Sequence, residues 1–176
     1  MKHLLNEPLT KQRLAELKAG DTVLFTGTIY SARDAAHRRL QEMITAGEKP
    51  PIELEGAVIY YAGPTPARPG YPIGSAGPTT SGRMDPYTPL FIEKGVIATI
   101  GKGPRSEEVV RAMSENGAVY LAAVGGAAAL IAQCVKSSKV VAFEELGTEA
   151  IRALTVEELP LVVAVDAKGN SVYSRG

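Results

Sequence analysis

The chain of 176 residues reads as an α/β fold in which flanking helices cover a mixed sheet. Three observations predict this class. Between residues 21 and 135, short runs rich in β-branched and aromatic residues alternate with runs of helical period, as successive β-to-α units require. Glycine and proline separate these runs, at Gly20, Gly47, Pro50, Pro51, Gly95 and Gly117. Beyond residue 135 the helical runs cease and only short strands follow, so strands without crossover helices extend the sheet.

Taken in order, Thr10 caps a short helix that Gly20 ends, and residues 21–30 alternate as a strand through Val23, Phe25, Thr26 and Ile29. Ser31 with Asp34 three residues later has the form of a capping box, opening a helix through Ala35, Ala36, Leu40, Met43 and Ile44 to Gly47. Lys49-Pro50-Pro51 breaks the chain before a strand at 57–61. Residues 63–78 are crowded with proline and glycine and form a long irregular loop of the kind that serves a site. Asp85 as N-cap and Pro86 at the first helical position start a helix that Gly95 closes, and a strand at 96–100 follows. Ser106, Glu107 and Glu108 begin a helix that stops at Asn116-Gly117, with a strand at 118–124 and a helix at 127–135 after it. Short strands at 139–143, 151–155 and 161–166 complete the series, the last turning at Lys168-Gly169-Asn170. No repeat or linker divides the chain, so residues 1–176 are read as a single domain.

Composition excludes several classes. With 19 basic and 19 acidic residues there is no global field to attract nucleic acid or a membrane surface, so any bound anion must be held locally. The single cysteine, Cys134, excludes an internal disulfide and is too few for a zinc site or an iron–sulfur cluster. It sits on an apolar helix face and reads as a small core residue. The N-terminal residues lack a signal-peptide core, which makes a cytoplasmic location the expectation. The apolar run 118–135 is long enough to suggest a membrane span, but Gly125-Gly126 divides it into a strand-like and a helical half.

The most informative stretch runs from Ala76 to Asp85, where Thr79, Thr80 and Ser81 stand between Gly77 and Gly82 and Arg83 follows. Hydroxyls flanked by glycine let backbone N–H groups approach an anion, and a guanidinium can grip a carboxylate bidentately. Lys102, between Gly101 and Gly103, lies just beyond a strand end. Gly77 and Gly82 have P-loop spacing, yet Arg83 and Met84 replace the required Lys and Ser/Thr, and Pro78 removes a cradle N–H. Phosphoryl transfer is therefore disfavoured. Arg33 and Arg83 each sit at a helix start, where a cation is disfavoured by roughly 0.3–1 kcal/mol unless a bound anion shares the spot. The competing reading pairs each arginine with a neighbouring carboxylate, Asp34 or Asp85. His37 shares the helix face of Arg33 but has no second ligand near it, so packing or support of the site is favoured over metal binding.

The run GPTTSGRMDPYTPLFIEKG, with SARDAAHRRL upstream and LGTEAI and VDAKGN downstream, resembles the C-terminal domain or separate β subunit of class I fumarate hydratase and L-tartrate dehydratase. The resemblance covers nearly the whole chain. It implies a swivelling β/β/α domain, with a partner α subunit carrying a [4Fe–4S] cluster on three cysteines and an assembly such as α2β2. No metal site is implied on this chain itself. Residue by residue it implies Thr79, Arg83 and Lys102 as catalytic and Arg33, Thr80, Ser81 and Gly82 as binding a dicarboxylate substrate. In such a reaction the C–H proton beside a carboxylate is removed and charge builds on that carboxylate, so Arg33, Arg83 and Lys102 would hold the substrate and stabilise that charge. The partner's iron would act on the departing hydroxyl. Thr79 would lie nearest the transferred proton, either as base or as an orienting group beside a base from the partner. A phosphate- or nucleotide-binding module and a non-catalytic anion-binding or regulatory domain remain the alternatives. Fumarate, tartrate and a methylated analogue all stay open as the substrate.

Overall fold

The computed structural model describes residues 1–123 and 128–173. Among these, seven strands form one mixed sheet: β1 (Lys2–Asn6), β2 (Thr22–Ser31), β3 (Val58–Tyr60), β4 (Ala98–Gly101), β5 (Val119–Ala123), β6 (Val135–Ala142) and β7 (Ile151–Val165), in the order β1-β2-β3-β4-β5-β7-β6. From β1 to β5 neighbouring strands are parallel, whereas β7 runs antiparallel to β5 and β6. Because β7 also pairs with β2, from Val162 opposite Thr22 to Arg152 opposite Ser31, strands β2, β3, β4, β5 and β7 close into a barrel-like ring.

Alternation along the strands explains the layering. Val58 and Tyr60 of β3 point into the ring with Phe25, Ile29, Leu121, Leu154 and Val163, while Ile59 and Tyr61 point outward to the helices. Strands covered on both faces are apolar on both, hence the near-continuous hydrophobic runs. Helix α2 (Asp34–Thr45) lays Ala36 and Leu40 against Ile59, with Phe91 of α3 (Thr88–Glu93) in the same cluster. Helix α4 (Glu107–Asn116) buries Val109, Ala112 and Met113 against Tyr120 and Val165. Ser106 caps it by accepting from the Val109 N–H, and Gly117 ends it at φ 71.

Several expectations are corrected. Strand β1, which pairs with the first half of β2 on the edge that β3 takes further along, was not anticipated, because five residues preceding a Glu-Pro give little period to read. Helix α1 covers only Lys11–Leu14 and is closed at Ala15, not Gly20. The proposed capping box at Ser31 does not form: Ser31 ends β2, Arg33 is the N-cap without a side-chain cap bond, and the Ala35 N–H donates to Glu149 at 3.1 Å. Asp85 does not cap a helix either. It ends a 3-10 turn, Ser81–Met84, and α3 begins three residues later because the Asp85 carboxylate is taken by Arg105 and the Ser106 N–H. Val135 opens β6 instead of ending α5 (Ala128–Cys134). The strands expected at 151–155 and 161–166 are one strand: Glu158, at φ 49, and a register shift opposite Phe25 and Gly27 make a bulge that carries the chain past Pro160. The Gly125-Gly126 turn lies outside the described residues. No helix among the described residues is long and apolar enough to cross a membrane.

Candidate active site

The parallel strands β2, β3 and β4 deliver their C-terminal ends to one pole of the ring, where the chain leaves toward Arg33, Gly63 and Lys102. In closed parallel barrels and open α/β sheets alike, ligands bind at the carboxyl ends of the strands, where the loops that follow them gather. Backbone bonds lay the hydroxyl loop across this pole. The Thr79 N–H donates to the Tyr61 carbonyl at 2.7 Å, the Ser81 N–H donates to the Lys102 carbonyl at 2.8 Å, and Thr80 bridges to Lys102 in parallel register. Gly101 must be glycine, because a Cβ there would fall onto Ser81 Oγ and within 2.8 Å of the Tyr61 ring. The Arg33 side chain lies against Gly63, where a Cβ would come within 2.9 Å of Arg33 Cδ and 3.0 Å of the Thr148 carbonyl oxygen.

The residues singled out in the sequence are thus brought to one pole. Thr80, Gly82, Arg83 and Lys102 are exposed, and Arg33 and Thr79 are half-buried. Ser81 differs. Its side chain is buried and bonds to the Tyr120 hydroxyl at 2.7 Å, leaving backbone and neighbours to face solvent. Arg83 does make the competing ion pair, with Asp34 at 2.8 Å. The Arg83 side chain is 54% exposed, so that pair contributes at most about 1 kcal/mol and is readily exchanged for another carboxylate.

Around the start of α2, several buried polar atoms have no partner among the described residues: Ser31 Oγ, Arg33 Nε, Asp34 Oδ1 and His37 Nε2. His37 is held by its Nδ1–H, which donates to the Arg33 carbonyl at 2.8 Å, and it packs edge-on to Tyr61 at 5.4 Å. Burial lowers its pKa from 6.5 to about 4; the bond to Arg33 opposes the shift and the Arg105 charge adds to it. The imidazole is therefore neutral and serves to fix the backbone of Arg33. The LGTEAI segment has a similar task. Glu149 takes the Ala35 N–H, and Glu145 pairs with Arg39 at 3.0 Å. VDAKGN lies at the opposite pole, where Asp166 accepts from the backbone of Ala19, Lys168 and Asn170.

Arg105 was not singled out from the sequence. Its side chain is fully buried, sandwiched between the rings of Tyr61 and Tyr120 at 5.1 and 4.7 Å, and it donates to Asp85, Thr99, Tyr61 and Thr88 at 2.7–3.0 Å. Burial alone would lower its pKa; the Tyr61 hydroxyl and the Asp85 carboxylate outweigh that and hold it above the ordinary guanidinium value. The signal was available, since Arg105 directly precedes the N-cap of α4, another cation at a helix start.

Among the described residues no group of three or more His, Cys, Asp or Glu could hold a metal ion, and Cys134 directs its thiol to the Glu158 carbonyl. The residues present do not fit an iron–sulfur cluster. What the pole offers is cations and hydroxyls side by side, the groups that hold an anion.

The family described as Fumarase C-terminus matches residues 2–176. The chain is 43% identical over 176 residues to Fumarate hydratase class I, anaerobic, of Escherichia coli (strain K12), covering 97% of this chain and 32% of that protein. It is 42% identical over 175 residues to Fumarate hydratase 2 of Leishmania major, with 97% and 31% covered. A protein of Methanocaldococcus jannaschii provisionally named L(+)-tartrate dehydratase subunit beta is 42% identical over 179 residues, with 98% of this chain and 91% of that protein covered. The chain spans about a third of the length of these two fumarate hydratases.

Proposed function

The chain belongs to the fumarase C-terminus family, and from that premise we propose that it forms the dicarboxylate-binding half of a class I hydro-lyase site for the reversible hydration of fumarate to L-malate. One observation carries this reading: Arg33, Arg83 and Lys102, three cations distant in sequence, stand with Thr79 and Thr80 at one pole of the ring, and Arg33 Nε is a buried donor without a partner among the described residues. A buried guanidinium N–H left unpaired is costly, and a substrate carboxylate would satisfy it.

In this reading Arg33 and Arg83 hold the two carboxylates, Arg83 exchanging Asp34 for substrate. Lys102 faces the carboxylate on which negative charge accumulates as the adjacent C–H proton leaves. Preorganised cations there are worth a few kcal/mol each, because they need not reorient as the charge develops. Thr79, tied by its N–H to the Tyr61 carbonyl just past β3, holds its hydroxyl near the transferred proton and Thr80 supports the same loop. Ser81 acts through its backbone and its bond to Tyr120, and Gly82 leaves room for the substrate to approach.

The exposed pole is half of a site, so a partner α subunit would complete it and would carry the [4Fe–4S] cluster for which this chain has no ligand set. A second reading, the β subunit of an L-tartrate dehydratase yielding oxaloacetate, is favoured by one observation: the tartrate-named relative matches over nearly its full length. Reconstitution tests both. The 176-residue chain alone should be inactive, and anaerobic mixing with a cluster-loaded α subunit should give turnover of fumarate, L-tartrate or both. No turnover of either with any such partner would leave only a non-catalytic anion-binding domain.

A further inference from the structure

Thr79, Ser81, Gly82 and the adjoining Met84 are each linked to one buried charge. The Arg105 Nε–H donates to Asp85 at 2.7 Å, and the Asp85 N–H closes the turn holding Arg83 by donating to the Gly82 carbonyl. Nη2 donates to Thr88 Oγ1 at 2.9 Å, and that hydroxyl donates to the Met84 carbonyl at 2.8 Å. Nη2 also donates to the Tyr61 hydroxyl at 3.0 Å, while the Tyr61 carbonyl accepts from Thr79, the first residue of the loop. On its other face the guanidinium covers the Tyr120 ring. The Tyr120 hydroxyl has a single proton, which it donates to the Gly103 carbonyl at 2.7 Å, so it accepts from Ser81. Gly103 in turn adjoins Lys102.

We infer that Arg105 is a positioning residue: it sets the two ends and the middle of the 79–83 loop, and through Gly103 the backbone beside Lys102. The inference rests on the hydro-lyase reading only for what the loop binds. Stability alone does not account for such a residue, since a buried ion pair is commonly replaceable by apolar groups at no cost to folding. What apolar groups cannot supply is a planar fork with donors pointing to Asp85, Thr99, Tyr61 and Thr88 at once.

The test uses three variants: Arg105→Lys, which keeps the charge and loses the fork; Tyr120→Phe, which keeps the ring and loses the link to Ser81 and Gly103; and Leu17→Ala, a core change at the opposite pole. Amide 1H–15N signals of Thr79, Thr80, Gly82 and Lys102 are recorded on the 176-residue chain. kcat/KM per folded enzyme is measured on the chain assembled with its cluster-bearing partner. Arg105→Lys and Tyr120→Phe should shift those signals and lower kcat/KM by about 100-fold and about tenfold, the scale of an ångström-sized misplacement. Leu17→Ala should lower Tm and leave both readouts unchanged. If Arg105→Lys does not fold, Tyr120→Phe decides. Loop signals that superimpose on wild type, signals that shift with kcat/KM unchanged, or a Leu17→Ala effect as large as the others would each overturn the inference. A wild-type assembly that turns over neither fumarate nor tartrate would instead sink the hydro-lyase reading, with the loop signals still deciding the role of Arg105.

Discussion

Arg83 and His37 differ in kind, one an exposed charge and the other a buried neutral ring. Arg83→Lys keeps the charge of the exposed guanidinium but loses its bidentate geometry, so kcat/KM of the assembled enzyme should fall about 100-fold with little change in Tm. Steady-state kinetics with the proposed dicarboxylates, fumarate and L-tartrate, check this. For His37 the consequence is in stability. Its pKa is about 4 in the folded chain and 6.5 ordinarily, so between those values the unfolded chain binds more protons. Stability is therefore full above pH 6.5 and is lost as pH falls toward 4, by about 3 kcal/mol in all. His37→Gln, which can still donate to the Arg33 carbonyl but does not titrate, should lose less stability between pH 7 and pH 4.5 than wild type. Denaturant unfolding at the two values measures the difference.

At the scale of elements, the site depends on glycines where strands end. Gly101→Ala would drive a Cβ into Ser81 Oγ and against Tyr61, and the backbone must move to receive it. The expected cost is about 1–3 kcal/mol of stability, with a larger proportional loss of activity because the shift displaces the loop bonded to Lys102. Comparing Tm with kcat/KM for this variant separates the two effects. Most of the elements were legible in the sequence, because period and punctuation are local properties: β2 to β5, α2 and α4 stand close to where apolar spacing and glycine put them. The misses share a cause. At Asp85 and Ser31 local capping chemistry was outcompeted by distant partners, Arg105 for Asp85 and Glu149 for the N-terminus of α2. At Pro160 a bulge let one strand continue where a break was expected.

At the scale of the whole molecule, closure by β7 couples the sheet. Leu154 is buried inside the ring on the strand that pairs with both β2 and β6. Leu154→Ala should cost about 2–5 kcal/mol, measured by denaturant unfolding, and a single cooperative transition should persist because β3 and β7 each contribute residues both to the ring interior and to the helix-facing cluster. The sequence by itself determined the alternating α/β class, the cations Arg33, Arg83 and Lys102, the hydroxyl loop and the family to which they belong. These are matters of residue type and short-range spacing. Only the tertiary structure decided that the strands close into a ring, that residues 33, 63, 79–83 and 102 meet at one pole, and that Ser81 turns inward. It also placed Arg105 beneath them. A fully buried charge is permitted only where distant groups satisfy it, and here those groups are Asp85, Thr88, Thr99 and two tyrosines from separate elements, whose convergence no local pattern records.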